Sequence, residues 1–141
     1  LFAEAARKGK AINVYNYGEM MRDFTYVDDI VEGILRATKH IPRQNDSWSG
    51  KTPESSYSSA PYKVYNIGNN SPVKLMDFII AIENEIGTKI KKTLLPLQAG
   101  DVPKTFANID DLVRDIDYKP ETTVEQGIKQ FVDWYKIYYN V

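Results

Sequence analysis

The chain of 141 residues contains no cysteine and only one histidine, His40. Without cysteine there is no disulfide framework, no thiolate nucleophile and no cysteine-bound zinc. A single histidine leaves little for a metal cluster or a Ser-His-Asp triad. We therefore predict no metal site, and we interpret His40 as a favourable charge at the C-terminal end of a helix.

The sequence also lacks an excess of charge and a long apolar run. Eighteen basic and nineteen acidic side chains give a formal net charge of −1, which argues against a nucleic-acid surface. No apolar run approaches the ~18 residues of a membrane span, and nothing resembles a signal peptide. The hydrophobic content of 43% is typical of a globular protein. We expect one packed domain, no membrane or nucleic-acid partner and a cytoplasmic location.

Helical and extended patterns alternate along the chain. Helices are predicted over residues 1–8, 27–37, 75–86, a short segment from 108, and 122–139. Strands are predicted over residues 10–17, 63–67 and 89–95. The first helix has no N-cap, so we interpret the chain as the C-terminal piece of a longer protein. Three short strands are too few for a self-standing doubly wound sheet, and the predicted fold class is mixed α/β.

Several polar residues are predicted to shape helix ends. Thr122 with Glu125 matches a capping box, and Asn108 is placed to cap the short helix that follows it. Asp28 and Asp29 fall in the first turn of the helix over 27–37, where carboxylates complement the helix dipole. We interpret them as residues of the helix start, not as a catalytic pair.

Arg22 stands between a predicted strand and the amphipathic helix, at the start of the segment RDFTYVDDI. A guanidinium at such a junction suits an anionic ligand, because it can donate hydrogen bonds to phosphate oxygens as a fork. The residues alone leave an alternative, in which Arg22 forms a surface ion pair with Glu19 or Asp23.

Four segments occur in order along nearly the whole chain: RDFTYVDDI (22–30), YKVYNIGNNSPVKLMDFI (62–79), LPLQAGDVPKTFANI (95–109) and YKPETTVEQGIKQFVDWYKIYY (118–139). Together they closely resemble the C-terminal part of the NAD-dependent nucleotide-sugar epimerases and dehydratases of the extended short-chain dehydrogenase/reductase family. The resemblance implies that residues 1–141 are a small mixed α/β substrate-binding lobe that lacks most of the Rossmann sheet. NAD would be held by an N-terminal Rossmann domain outside this chain.

The resemblance also implies an activity and a set of binding residues. The complete enzyme would interconvert UDP-glucuronate and UDP-galacturonate in polysaccharide synthesis, and would be a homodimer. Asn13 would contact the uracil through its backbone, Tyr15 would pack on the uracil, and Arg22 would bind the diphosphate. Gln98 stands where some members carry an arginine and can donate hydrogen bonds, while Asp101 can accept one from a ribose hydroxyl. Asp101 could instead serve only to make a Gly-Asp turn.

The family's catalytic motifs are missing from this chain. There is no GxxGxxG dinucleotide loop, and none of the ten tyrosines is followed four residues later by the lysine of a YxxxK pair. In the family a tyrosinate removes the proton of the sugar 4-hydroxyl, and hydride passes to NAD and back. We assign no catalytic and no cofactor-binding residue here, and expect the isolated chain to be inactive. A decarboxylase, a 4,6-dehydratase and a non-catalytic nucleotide-binding module remain alternatives.

Overall fold

The computed structural model describes all 141 residues as a mixed α/β unit. Its helices are α1 (Phe2–Lys8), α2 (Val27–Lys39), α3 (Leu75–Ile86), α4 (Asp110–Ile116) and α5 (Val124–Tyr139). Its strands are β1 (Ala11–Val14), β2 (Met21–Arg22), β3 (Val73–Lys74) and β4 (Lys91–Leu94). The mixed α/β prediction is confirmed, although the four strands form two separate two-stranded sheets. None of the five helices combines the length and the apolar character that crossing a membrane would require.

The core lies between three helices and the sheet of β1 and β4. Helix α3 packs against α5 and α1, and α1 leads directly into β1 through Gly9, whose φ of 62° ends the helix. Alternation along β1 buries every second residue, and the helical period buries one face of α3 and α5. The buried cluster consists of Ala5, Ala6, Ile12, Val14, Ile79, Ile82, Ile90, Ile128 and Val132.

Two long segments run side by side through the molecule, and we call residues 11–22 and 91–105 the paired segments. Within them β1 and β4 form a parallel ladder from Ala11 opposite Lys91 to Val14 opposite Leu94. The pairing continues past the strands, because the Tyr17 N–H donates to the Leu95 carbonyl at 2.9 Å and the Met21 N–H to the Pro103 carbonyl at 2.8 Å. Parallel neighbours need a long crossover, which α2, the following loop and α3 provide.

The prediction of a strand over residues 10–17 is wrong beyond Val14. Residues 15–18 form an irregular turn, in which Asn16 and Tyr17 have left-handed φ values of 50° and 52°. The Asn16 side chain donates to the Glu19 carbonyl at 2.7 Å. Asparagine tolerates this left-handed conformation and stabilises turns, and this local bonding overrides the β-propensity of the two tyrosines.

The prediction of a strand over residues 63–67 is also wrong. Only Lys63 forms a bridge, with Tyr57, and the rest of the segment has no partner strand. Side chains hold it instead: the Tyr65 hydroxyl donates to Asp115 at 3.1 Å, and the Asn66 amide donates to the Asn108 carbonyl at 3.2 Å. The segment is extended because of these anchors, not because of a ladder.

Two predicted caps are displaced by one residue. The capping box of α5 is Thr123 with Gln126, not Thr122 with Glu125, because the helix begins at Val124. The side chain of Asn108 does bind the first amide of α4, accepting from the Asp110 N–H at 2.9 Å, but the residue at the cap position itself is Ile109. Before α5 two adjacent threonines are both able to cap, and pattern alone does not separate them; before α4 the asparagine bonds to the helix from one residue before the cap position.

Helix α2 begins at Val27 and leaves much of its apolar side uncovered. Gly33 is its only buried residue, while the side chains Val27, Val31, Ile34 and Leu35 are about half exposed. Asp29 in its first turn reaches outside the helix: its carboxylate accepts from the Thr122 N–H at 3.1 Å. Asp29 is therefore a contact between α2 and the loop before α5, and its assignment to the helix start alone was incomplete.

Glu83 is a charged residue in the interior, with 3% of its surface exposed. It lies near the C-terminal end of α3, and its carboxylate accepts hydrogen bonds from the ammonium groups of Lys92 and Lys89 and from the Ile90 N–H. Burial by itself would raise the pKa of Glu83, but these donors outweigh it and lower the pKa to about 2. The charge thus connects α3 to the start of β4.

We predict that Glu83 makes the fold acid-sensitive. Because the pKa of Glu83 is lower in the folded chain than its ordinary value of 4.5, its stabilisation is complete above pH 4.5 and is lost as the pH falls towards 2. Glu83→Gln should lower the free energy of unfolding at pH 7 by about 3 kcal/mol, measured by urea denaturation, and reduce its decline between pH 4.5 and pH 3. Glu121→Gln, at an exposed residue, is the control; an equal effect of both variants would contradict the prediction.

Candidate functional site

The five predicted substrate-binding residues all lie on the paired segments. Asn13 is in β1 and Tyr15 follows it, while Gln98 and Asp101 lie in the loop after β4. Parallel strands end at the same edge of a sheet, so these four residues lie at or beyond the edge where β1 and β4 both end. The structure brings Arg22 and Asp101 into direct contact, and it shows no side-chain hydrogen bond joining Asn13, Tyr15 or Gln98 to that pair.

Arg22 is held at the far end of the first paired segment by three acceptors, one on the first segment and two on the second. One terminal nitrogen donates to Asp101 Oδ1 at 2.9 Å, and the other donates to the carbonyls of Met21 at 2.9 Å and Pro103 at 3.3 Å. A guanidinium has five N–H donors, so two remain without an acceptor in the chain. The Arg22 side chain is 25% exposed, so these donors belong to a group that is oriented but still accessible.

The alternative in which Arg22 pairs with Glu19 or Asp23 is wrong. Its partner is Asp101, 79 residues further along the chain, and neither neighbouring carboxylate contacts it. Sequence proximity favoured the near carboxylates, but the parallel pairing of the two segments places Asp101 closer. Local sequence pattern cannot predict an ion pair between residues that a long crossover connection separates.

Asp101 has two roles in this geometry. Its N–H donates to the Gln98 carbonyl at 3.1 Å, closing a turn in which Gly100 has a φ of 84°. Only glycine adopts that conformation easily, as in a type II turn. The Asp101 carboxylate also accepts from Arg22 and from the Val102 N–H at 2.8 Å. Asp101 therefore does form the Gly-Asp turn, but not only the turn, because the turn also presents its carboxylate to the arginine.

Asp23 is a residue of this region whose role the sequence analysis missed. Its carboxylate accepts three backbone hydrogen bonds, from the N–H groups of Asn70 at 3.1 Å, Ser71 at 3.2 Å and Ala107 at 3.1 Å. These donors come from two distant parts of the chain. An aspartate in an extended segment, ahead of the cap position of α2, was the available signal.

The long polar loop over residues 43–61 is anchored by a cluster around Lys63. The Lys63 side chain is 3% exposed, pairs with Asp111 and lies 3.4 Å from the centre of the Tyr57 ring. The Tyr57 hydroxyl accepts from Arg114 at 2.8 Å. Burial opposes the charge of Lys63, but the bond to the Asp111 carboxylate outweighs burial and raises the pKa of Lys63, so the ammonium stays charged and is not a general base at neutral pH.

The main apolar groove of the chain lies elsewhere. It is lined mostly by hydrophobic side chains of α1, α3, α5 and the start of α2, including Phe2, Phe24, Phe78, Val124 and Phe131. None of the five predicted substrate residues contributes to it. No group of three or more acidic or histidine side chains is arranged to hold a metal ion. The polar Arg22–Asp101 region is thus the part of the paired segments suited to an anion.

Comparison with known proteins agrees with this fold and defines the family. Residues 1–68 match the model of the NAD dependent epimerase/dehydratase family. The chain is 59% identical over 138 residues to Protein CapI of Staphylococcus aureus, an alignment that covers 98% of this chain and 41% of that protein. The chain belongs to the NAD dependent epimerase/dehydratase family, and it spans about two fifths of the length of the curated relatives it matches.

Two further comparisons concern one relative and one solved structure. A probable UDP-glucuronate 4-epimerase of Rhizobium meliloti (strain 1021) is 40% identical over 136 residues, which cover 95% of this chain and 40% of that protein. The structure of the UDP-glucuronic acid 4-epimerase of Bacillus cereus, in complex with UDP-glucuronic acid and NAD, superposes with a TM-score of 0.75 at 22% identity over 98% of this chain and 39% of that one. At that identity the superposition establishes the fold.

We predict that Lys63 controls the order of the loop over 43–61. Lys63→Met removes the ammonium that contacts both the Tyr57 ring and the Asp111 carboxylate, and it leaves Asp111 paired only with Arg114. Because Asp111 is 31% exposed, the expected loss of unfolding free energy is about 2 kcal/mol, below the value for a fully buried pair. Chymotrypsin should cleave the folded variant several-fold faster within the loop, at Trp48 or Tyr57.

Lys51→Met is the matched control, because Lys51 is an exposed lysine in the same loop. Its cleavage rate should equal that of the unsubstituted protein. Equal rates for all three proteins would show that the Lys63 cluster does not hold the loop.

Proposed function

We propose that this chain is the substrate-binding part of an NAD-dependent nucleotide-sugar 4-epimerase that interconverts UDP-glucuronate and UDP-galacturonate, and that it holds the UDP moiety. The observation that carries the proposal is the Arg22 guanidinium: it is oriented by Asp101 and two carbonyls and retains two free N–H donors at the end of the paired segments. A fixed, partly exposed guanidinium with unused donors suits the oxygens of a diphosphate.

The remaining predicted contacts follow from positions along the same segments. Tyr15 and the backbone of Asn13 lie at the end of β1, where the flat tyrosine ring offers a packing surface for a pyrimidine. Gln98 and Asp101 lie in the facing turn, where an amide and a carboxylate can bind hydroxyl groups. The proposal therefore places the uridine near β1 and the diphosphate at Arg22. The sugar would extend beyond Arg22, away from the uridine.

The names of the relatives support the choice of substrate. The Rhizobium meliloti relative is a probable UDP-glucuronate 4-epimerase, and the Bacillus cereus enzyme was solved with UDP-glucuronic acid and NAD. NAD itself has no fitting site here, because the chain has neither a GxxGxxG loop nor a YxxxK pair. We propose that NAD and the catalytic residues belong to an N-terminal Rossmann domain of a longer, homodimeric cytoplasmic enzyme.

We predict that Arg22 determines the affinity for UDP. Arg22→Ala in the complete reading frame should raise the dissociation constant of UDP about 10- to 100-fold, measured by isothermal titration calorimetry. The substitution removes a charge-assisted bond worth about 1.5–3 kcal/mol and leaves the Asp101 carboxylate without its cation. Arg22→Lys keeps the charge but not the forked pair of donors, so its dissociation constant should lie between those of the unsubstituted protein and Arg22→Ala.

Arg43→Ala is the matched control for charge, because Arg43 is exposed and forms no ion pair. Its dissociation constant for UDP should stay within twofold of that of the unsubstituted protein, a change in binding free energy of at most about 0.4 kcal/mol. A similar constant for Arg22→Ala would contradict the assignment of Arg22 to the diphosphate.

We also predict that activity requires the sequence upstream of Leu1. The complete reading frame, incubated with NAD and UDP-glucuronate, should give UDP-galacturonate, followed by the anomeric proton signals in NMR spectra. The isolated 141 residues should give no product, because they carry no YxxxK pair. A pentose product with loss of carbon dioxide would identify a decarboxylase instead, and turnover by the isolated chain would contradict the proposal.

A further inference from the structure

The carboxylate of Asp23 is satisfied entirely by backbone N–H groups. Its Oδ2 accepts from Asn70 and Ala107, and its Oδ1 accepts from Ser71, all at 3.1–3.2 Å. Asp23 takes part in no ion pair with a lysine or arginine. A carboxylate that collects several amides from separate segments fixes those segments relative to one another, because each bond is charge-assisted and directional.

The three amides belong to the segments that meet beside Arg22. Met21 and Arg22 pair with β3, immediately after the turn that contributes the first two amides. Met21 also bonds to the Pro103 carbonyl and to the Thr105 N–H, just before the third amide. The extended residues 21–23 are therefore the central strand of a small three-stranded junction.

Arg22 and Asp23 attach the same neighbouring segment at two different points. Arg22 bonds to Asp101 and Pro103, and Asp23 bonds to Ala107, a few residues further on. A shift of the residue 22 backbone relative to the segment that carries Asp101 would strain the Asp23 bonds. The position of the guanidinium thus depends on the carboxylate that follows it in sequence.

Gly68 shows how closely this junction is packed. A Cβ atom on Gly68 would lie 2.5 Å from the Ala107 Cβ and 3.0 Å from Asp23 Oδ2. Both distances are shorter than ordinary carbon contacts, so an alanine at this position must displace the Ala107 segment or the carboxylate. The turn that contains Gly68, the Asp23 carboxylate and Ala107 are therefore in close contact, with no space for an added methyl group.

We propose that Asp23 is a positioning residue for the anion site: it holds the Arg22 guanidinium, beside Asp101, in the arrangement that binds a nucleoside diphosphate. This inference rests on the proposed function of Arg22, and it adds a residue that need not touch the ligand. An asparagine at position 23 keeps the size of the side chain, but its NH₂ group faces N–H donors that require an acceptor. The bond to Ala107 or to the turn is then lost.

The test is a double-substitution cycle in the complete reading frame, with UDP as the probe and calorimetric dissociation constants as the readout. Asp23→Asn should weaken UDP binding at least about fivefold in protein that still unfolds cooperatively in a thermal melt. The double variant Arg22→Ala/Asp23→Asn should bind UDP as Arg22→Ala does, within about twofold, because Asp23 acts through Arg22. A merely structural role would lower the melting temperature without this coupling.

Two further variants keep the test decisive. Asp77→Asn removes the same charge at an exposed residue of the first turn of α3, and its UDP affinity should stay within about twofold of the unsubstituted value. Gly68→Ala disturbs the junction without changing any charge, and it should weaken UDP binding in the same direction as Asp23→Asn. If Asp23→Asn does not fold, Gly68→Ala with and without Arg22→Ala provides the cycle.

The outcomes separate this inference from the proposed function. If Arg22→Ala weakens UDP binding but Asp23→Asn and Gly68→Ala do not, the positioning role is wrong and the diphosphate site stands. Losses that multiply in the double variant also overturn the positioning role, since Asp23 would then act independently of Arg22. If the unsubstituted protein does not bind UDP, or Arg22→Ala has no effect, both the proposed site and the positioning role fall.

Discussion

The parallel pairing of residues 11–22 with 91–105 is the constraint on which the rest of the structure depends. It brings together two stretches that are about 80 residues apart and continues beyond the short β1–β4 ladder through the bonds of Tyr17 and Met21. A parallel pair cannot be closed by a tight turn, so the intervening chain must form a crossover. Helix α3 in that crossover supplies buried Ile79 and Ile82, while the loop over 43–61 passes along the surface.

The candidate site is a consequence of the same pairing. Arg22 and Asp101 are far apart in sequence and meet only because the segments that carry them run side by side. The turn closed by Gly100 and the amides held by Asp23 then fix the pair in one arrangement. Orientation before binding reduces the ordering that a ligand must impose, which supports the proposed role of Arg22.

The sequence was sufficient for features that depend on local pattern, and insufficient for those that depend on distant contacts. Amphipathic periodicity and the glycines after α1 and α3 located those helices. The strand predicted at 63–67 failed because its β-rich residues are held by side chains, chiefly Tyr65 and Asn66. The sequence suggested Glu19 or Asp23 as an ion-pair partner of Arg22, because the parallel pairing that brings Asp101 close cannot be inferred from local pattern.

The most direct test of the account is a crystal structure of the protein from the complete reading frame with bound UDP. The account predicts the diphosphate at the Arg22 guanidinium, within hydrogen-bonding distance of its free N–H groups, and the uracil beside Tyr15 at the end of β1. It also predicts that the three backbone bonds of Asp23 are unchanged. UDP bound away from the paired segments, with the Arg22–Asp101 pair still facing solvent, would contradict it.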